Sequence, residues 1–203
     1  MQKRLYAFTG LSKSGKTTAK KYITTTSNKL LLPMAFADEV KREVAETYDL
    51  DFYRLMEDYE YKALHRDALI EYGEARRKND QFYWVNKIAQ KIQKHWNSFD
   101  GFVIDDLGML PEYFWAKGAG FVVTHLTRPG IELIANNTRD FELDNWMKEN
   151  NKSYDLSLYN YGTLEEFYNS LNTMFNGKSL SLKTLAETYN NNPNFDANGY
   201  INV

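Results

Sequence analysis

Short apolar runs alternate with longer amphipathic stretches over most of this chain. Leu5 to Phe8 reads as a strand and Lys16 to about Ser27 as a helix, although the run from Ile23 to Thr26 has weak helical propensity. Lys29 to Asp38 is a second apolar run, followed by an amphipathic stretch from Glu39 to Tyr48. The block from Asp51 to Trp96 is expected to be almost wholly helical, with apolar residues at steps of three and four in Arg66 to Arg77 and in Tyr83 to Trp96. β character returns at Gly101 to Asp106 and Phe121 to Thr127, with a helix from about Pro111 to Lys117 between them. After Pro129 the periodicity weakens. A last strand is expected at Tyr154 to Asn160 and a helix from Thr163 to Phe175. Strand, helix and strand in this order predict an α/β fold with right-handed crossovers and a mainly parallel central sheet flanked by helices. The tail from Asn176 keeps one helical segment, Ser181 to Tyr189, and then turns to asparagine, proline and glycine, the composition of a loosely ordered end.

At 203 residues, one compact domain is the default, and 43% hydrophobic residues suffice for a core. A formal charge of −2 provides no field to recruit duplex nucleic acid or an anionic membrane. The absence of cysteine removes disulfides, thiolate nucleophiles and zinc-thiolate sites, and fits a reducing compartment. No apolar run approaches the ~18 residues needed to cross a bilayer, and the amino-terminal residues do not resemble a signal peptide. A soluble, cytoplasmic protein is expected.

The stretch Gly10-Leu11-Ser12-Lys13-Ser14-Gly15-Lys16-Thr17 satisfies G-x-x-x-x-G-K-[ST], with an apolar strand before it and a helix after it. Its glycines let the backbone turn tightly, so that successive N–H groups face inward and the helix opens with free donors. Such a terminus favours an anion. Ser12, Lys13, Ser14, Gly15, Lys16, Thr17 and Thr18 are therefore the expected cradle of a nucleoside triphosphate. Lys16 is placed to reach the β- and γ-phosphates and the Thr17 hydroxyl to ligate Mg²⁺. Asp105 and Asp106 end the apolar run Phe102 to Ile104, where a parallel strand delivers carboxylates to the edge beside the loop. One of them is expected to hold the metal, directly or through water.

Neither a guanine-recognition N-K-x-D motif nor the protein-kinase signatures occur. The helical middle block carries Arg66, Arg76, Arg77, Tyr72, Tyr83 and Trp84. Guanidinium groups fork onto a monoester phosphate and aromatic faces stack on bases, which suits a small phosphorylated acceptor.

In the loop, in "FADEVKREV", in "HRDALIEYGEARRKNDQFYWVNKIA", in "VIDDLGMLPE", in "GAGFVVTHLTRPG" and in "DLSLYNYGTLEEFYNSL", the chain resembles the bacteriophage deoxynucleoside monophosphate kinases, a branch of the P-loop nucleotide kinases. The order and spacing of these segments carry the resemblance. It implies a P-loop kinase fold over 1–175 with a helical acceptor-binding insert at about 51–96 and a lid at about 129–152. It implies that Lys41 lies over the acceptor, Arg66 binds its phosphate, and Gly73, Glu74 and Trp84 line the nucleoside site. Lys16, Arg128 and Asp106 would be catalytic, with Arg128 stabilising the group in flight. Thr17, Asp105 and Asp106 would serve the metal, Glu142 would sit in the lid, and Asn160 and Gly162 would fall near the adenine of the donor.

The reaction implied is ATP + dNMP → ADP + dNDP with Mg²⁺, nucleotides as the small-molecule partners, a homodimer left open, and the host cytoplasm as location if the chain is viral. Two features depart from the family. Gly108 stands where an arginine is common, leaving Arg128, Arg139 or Lys13 to supply its charge, and the lid lacks a histidine-containing signature. A kinase of another small acceptor, and a nucleotide-binding protein without transfer activity, stay open as alternatives.

Overall fold

The computed structural model describes residues 3–131 and 139–175. Its contacts group the chain into two compact units, Met1–Tyr161 and Gly162–Val203.

The first unit is built on five strands: β1 (Arg4–Thr9), β2 (Leu31–Met34), β3 (Gly101–Ile104), β4 (Val122–Thr127) and β5 (Leu156–Tyr159). All pair in parallel, in the order β2-β3-β1-β4-β5. The α/β expectation therefore holds. β3 is buried at every position, as a strand covered on both faces must be. Pro33, which has no N–H for a ladder, sits in the edge strand β2.

Alternation along the strands divides the core. Ala7, Phe102, Ile104 and Val123 join one large cluster with residues of α2 (Phe36–Tyr48), α6 (Tyr83–His95), α7 (Leu110–Gly118) and α8 (Arg139–Glu149). Phe8 and Val103 alternate to the opposite face, and α1 (Lys16–Thr26) packs along β1, β2 and β3 through the buried Ala19 and Ile23. The three threonines that end α1 turn onto its own backbone: Thr24, Thr25 and Thr26 each donate a hydroxyl to the carbonyl four residues back, at 2.8 Å.

The middle block is helical as expected: α3 (Phe52–Glu57), α4 (Tyr59–Leu64), α5 (Arg66–Asn79) and α6. Aspartates start two of these helices, Asp51 accepting from Arg54 N and Asp58 from Tyr61 N, both at 3.0 Å. In α6, Trp84, Val85, Ile88 and Ile92 form the buried stripe, each side chain contributing on the order of 1.5–3 kcal/mol. Two carboxylates of α2 bind this insert to the core. Glu39 pairs with Lys91 at 2.7 Å, and Glu43 pairs with Lys87 at 2.7 Å while accepting from the hydroxyls of Tyr83 and Tyr72.

The weakly periodic region after Pro129 holds the unforeseen α8. Leu143 and Met147, four apart, are buried in the core. Asp144 of the same helix accepts from the Tyr154 hydroxyl and lies 3.5 Å from His125 Nε2, and the rings of His125 and Tyr154 stack at 4.6 Å. Burial opposes the Asp144 charge, but His125 and the Tyr154 hydroxyl outweigh it and hold the carboxyl below its ordinary pKa. Residues 132–138 of the expected lid, and the helix expected near Ser181 to Tyr189, lie outside the described residues.

In the second unit, α9 (Leu164–Phe175) begins with a capping box: Glu166 N donates to Thr163 Oγ1 at 3.2 Å, and Thr163 N donates to Glu166 Oε2 at 2.7 Å. Gly162 precedes this box and so belongs to the second unit.

Candidate active site

In a sheet ordered β2-β3-β1-β4-β5, the chain leaves β1 toward one side and later returns to the other, so the loops after β1, β3 and β4 open at a topological switch point. The glycine-lysine loop follows β1 at this point. Gly10 has φ 124°, and a Cβ there would collide with the carbonyl oxygen of Leu126 on β4. Lys13 and Gly15 also have positive φ, at 66° and 108°. Three such residues in six curl the backbone into a concave turn of the kind that gathers N–H groups around an anion.

Gly15 caps α1 without any side-chain hydrogen bond, so no side chain of the cap occupies the helix amino terminus. The Ser14 Oγ is buried and has no hydrogen-bond partner among the described residues. Thr17 is exposed and its hydroxyl has no partner among the described residues, and Lys13 is exposed. The Lys16 ammonium folds back over the loop, donating to the carbonyls of Gly10 at 2.5 Å and Leu11 at 2.7 Å. A turn with a bare helix terminus, an orphaned buried hydroxyl and an ammonium folded onto the loop's own carbonyls fits a polyphosphate. Asn160, just past β5, donates its side-chain N–H to the Ser14 carbonyl at 2.9 Å, fixing the peptide that precedes Gly15. Its place is under the loop, a contact that no sequence pattern announces.

The two aspartates after β3 are differently engaged. Asp105 is buried and pairs with Lys20 of α1 at 2.6 Å. Asp106 accepts from Phe36 N at 2.9 Å and Ala37 N at 2.8 Å, completing the amino terminus of α2, whose own cap residue Ala35 has no side-chain oxygen. A hydroxyl with one or two carboxylates, the remainder filled by phosphate and water, is a donor set that suits Mg²⁺. Thr17 with Asp105 or Asp106 would be groups of that kind. No group of three or more acids or histidines able to hold a metal alone occurs among the described residues.

The turn after Asp106 is held by Glu112, whose buried carboxylate accepts from Gly108 N at 3.0 Å and Met109 N at 3.1 Å. Beside it opens a cleft of about 150 Å³. Trp84, Val85, Met109 and Pro111 give it apolar walls, and Arg77, Gln81, Glu112 and Glu142 its polar groups. Glu142, expected in the lid, thus comes from α8 and also accepts from Leu110 N at 3.4 Å. Arg77 is a guanidinium beside the Gly108 turn, a candidate absent from the trio of Arg128, Arg139 and Lys13. Arg128 is exposed just past β4, and the side chain of Arg139 lies outside the described residues.

The middle-block residues separate by role. Arg66, Ile70, Gly73 and Arg77 recur at i, i+4, i+7 and i+11, one stripe of α5. Arg66 is exposed and no ion pair engages it among the described residues, and Glu74 is exposed at the margin of the stripe. Lys41 on α2 pairs with Asp38 at 3.0 Å. Trp84 is only 1% exposed and donates its indole N–H to the Gly73 carbonyl at 3.0 Å, so its ring presents an edge of the cleft from within the core. The aromatic-arginine set of the sequence is partly structural. Tyr72, Tyr83 and Arg76 gather around Glu43, with Arg76 Nε 3.4 Å from the carboxylate. Burial opposes the Glu43 charge, yet Lys87, Tyr83 and Tyr72 together hold its pKa below the ordinary value. These side chains bind α2 to α5 and α6.

A family model described as phosphomevalonate kinase matches residues 8–117, from the end of β1 through the loop, the insert and most of α7. Among solved structures, one described as the crystal structure of TT1252 from Thermus thermophilus is similar at 16% identity, over 89% of this chain and 100% of that chain, with a TM-score of 0.47. No helix among the described residues is long and apolar enough to cross a membrane.

Proposed function

The chain belongs to the phosphomevalonate kinase family, a family of phosphotransferases acting on a small substrate, and within it we propose that this protein is a deoxynucleoside monophosphate kinase. An oxygen of the acceptor's phosphate attacks the γ-phosphorus of ATP, the bond from that phosphorus to the β-bridging oxygen breaks, and ADP and a dNDP leave. Such a transfer asks for position and charge neutralisation rather than covalent help. The amides of residues 14–18 and Lys16 would hold the β- and γ-oxygens, and Arg66 or Arg77 the acceptor's monoester. Mg²⁺, held at Thr17 and Asp105 or Asp106, would supply charge neutralisation across the triphosphate. Arg128 would face the transferred group.

The observation that supports a nucleotide acceptor is the cleft: apolar walls from Trp84, Val85, Met109 and Pro111, with Arg77 and Gln81 at hand for a phosphate and a base edge. The name of the matching family favours a second reading, in which the acceptor is phosphomevalonate. One assay separates them: ADP release with ATP and Mg²⁺ over the four dNMPs, their ribonucleotide counterparts and phosphomevalonate. Turnover on at least one dNMP is expected. Turnover on phosphomevalonate alone transfers the assignment to the second reading, and ATP binding without turnover on any acceptor removes transfer altogether. Lys16→Ala should lower kcat by about 10²- to 10³-fold, the cost of deleting one preorganised charge partner, with unfolding midpoint unchanged.

A further inference from the structure

We propose that Lys20 is a built-in counter-ion for Asp105 that sets how strongly nucleotide binding depends on magnesium. The proposal rests on the reading of the loop as an ATP site. The Lys20 ammonium lies 2.6 Å from Asp105 Oδ1, with side chains 15% and 6% exposed, and among the described residues it is the one side chain that bonds this carboxylate. Nothing in the G-x-x-x-x-G-K-T pattern asks for a cation at position 20. Its spacing does give it consequence: Lys20 stands three residues from Thr17 and four from Lys16, so the three side chains share one side of α1, next to the end of β3.

A carboxylate this deeply buried requires a partner, because breaking such a pair leaves an uncompensated charge. Two partners are conceivable at Asp105, an ammonium and a divalent cation, and they compete. At 4 Å, like charges repel strongly wherever water is scarce, so metal at Asp105 and ammonium at the same oxygen oppose each other. Magnesium must therefore displace Lys20 from Asp105. The displaced ammonium, one turn from Thr17, faces the same phosphates that Lys16 serves. Lys20 thus has two effects of one sign. It weakens metal at Asp105, and it lends a second positive charge to a triphosphate that arrives without metal. Both narrow the gap between the affinities for ATP and for Mg²⁺·ATP. If the pair only fastened α1 to β3, its loss would change both affinities alike.

The test is equilibrium binding of ATP by titration calorimetry in EDTA and in Mg²⁺, for wild type, Lys20→Gln, Lys20→Arg and Asp105→Asn. In Lys20→Gln the ratio of metal-free to Mg²⁺·ATP Kd should widen about tenfold, and Mg²⁺ without nucleotide should raise the melting temperature of this variant while leaving wild type unmoved. Lys20→Arg should restore the wild-type ratio. Asp105→Asn, which removes the buried carboxylate and keeps Lys20 charged, should narrow the ratio, and it carries the test if Lys20→Gln fails to fold. Ratios within twofold of wild type in the charge-altering variants, or equal shifts of both constants, overturn the proposal while leaving the ATP site standing. Wild type that binds ATP in neither condition overturns the ATP site and the proposal with it.

Discussion

Replacing Gly73 with alanine separates packing from binding on the insert. Gly73 is buried in the middle of α5, a fourteen-residue helix, where glycine costs about 0.5–1 kcal/mol relative to alanine. Space does not demand it. A Cβ at this position would meet Val40 Cγ1 at 3.6 Å, Arg77 Nη1 at 3.7 Å and Val40 Cγ2 at 3.8 Å, all ordinary van der Waals distances. The Trp84 indole bonds the Gly73 carbonyl, which the substitution keeps. Gly73→Ala should accordingly stabilise the protein by about 0.5–1 kcal/mol, raising Tm by about 1–4 °C for a chain of this size. The added methyl also stands against the Arg77 guanidinium at the cleft. If the acceptor lies there, kcat/KM for it should fall by about 1–3 kcal/mol, or roughly 5- to 150-fold, with KM for ATP unchanged. Differential scanning calorimetry and steady-state kinetics on the same preparation read both. A lower Tm refutes the packing argument. A raised Tm with unaltered acceptor kinetics refutes the placement of the acceptor over Gly73.

The remaining expectations concern the loop and the insert. Gly10→Ala forces a side chain into the Leu126 carbonyl at φ 124°, so it should destabilise by about 1–3 kcal/mol in urea unfolding and abolish ATP binding. Asn160→Ala should weaken ATP binding several-fold without altering the chemical step, measured by Kd against single-turnover rate, because it frees the Ser14 peptide but touches no phosphate. Glu43→Gln should cost about 1–3 kcal/mol at pH 7, as hydrogen bonds to a charged group do. The folded-state pKa of Glu43 is depressed, so its stabilisation is complete above the ordinary value of 4.5 and disappears as pH falls through the lowered one. The wild-type advantage over Glu43→Gln should therefore close below pH 4.5 in acid unfolding.

What the sequence disclosed was whatever local chemistry alone determines. β1, the glycine-lysine loop and α1 were legible because one motif dictates the backbone of all three. The insert was legible chiefly through α6, where Trp84, Val85, Ile88 and Ile92 keep a helical period. α8 was not, for its apolar residues, Phe141, Leu143, Trp146 and Met147, are spaced among charged and amide side chains, too slight a signal without a core to receive it. The same limit governs side-chain partners. Tyr72, Tyr83 and Arg76 looked like ligands to a nucleotide because their types suit one, and only three-dimensional proximity gives them to Glu43. The partners of Lys20, Glu112 and Asn160 were not foreseen because they stand 85, 4 and 146 positions away, and even the nearest pairing depends on a turn the sequence does not specify.

The bond from Asn160 to the Ser14 carbonyl bears on synthesis. The loop is translated well before β5, yet three of its residues have backbone angles that most side chains avoid, and the amide that steadies it arrives 146 residues later. A nascent chain on the ribosome carries the whole glycine-lysine signature long before it carries a competent grip. Fragments ending before β5 should contain the motif and fail to retain nucleotide, so that chain completion itself licenses the enzyme.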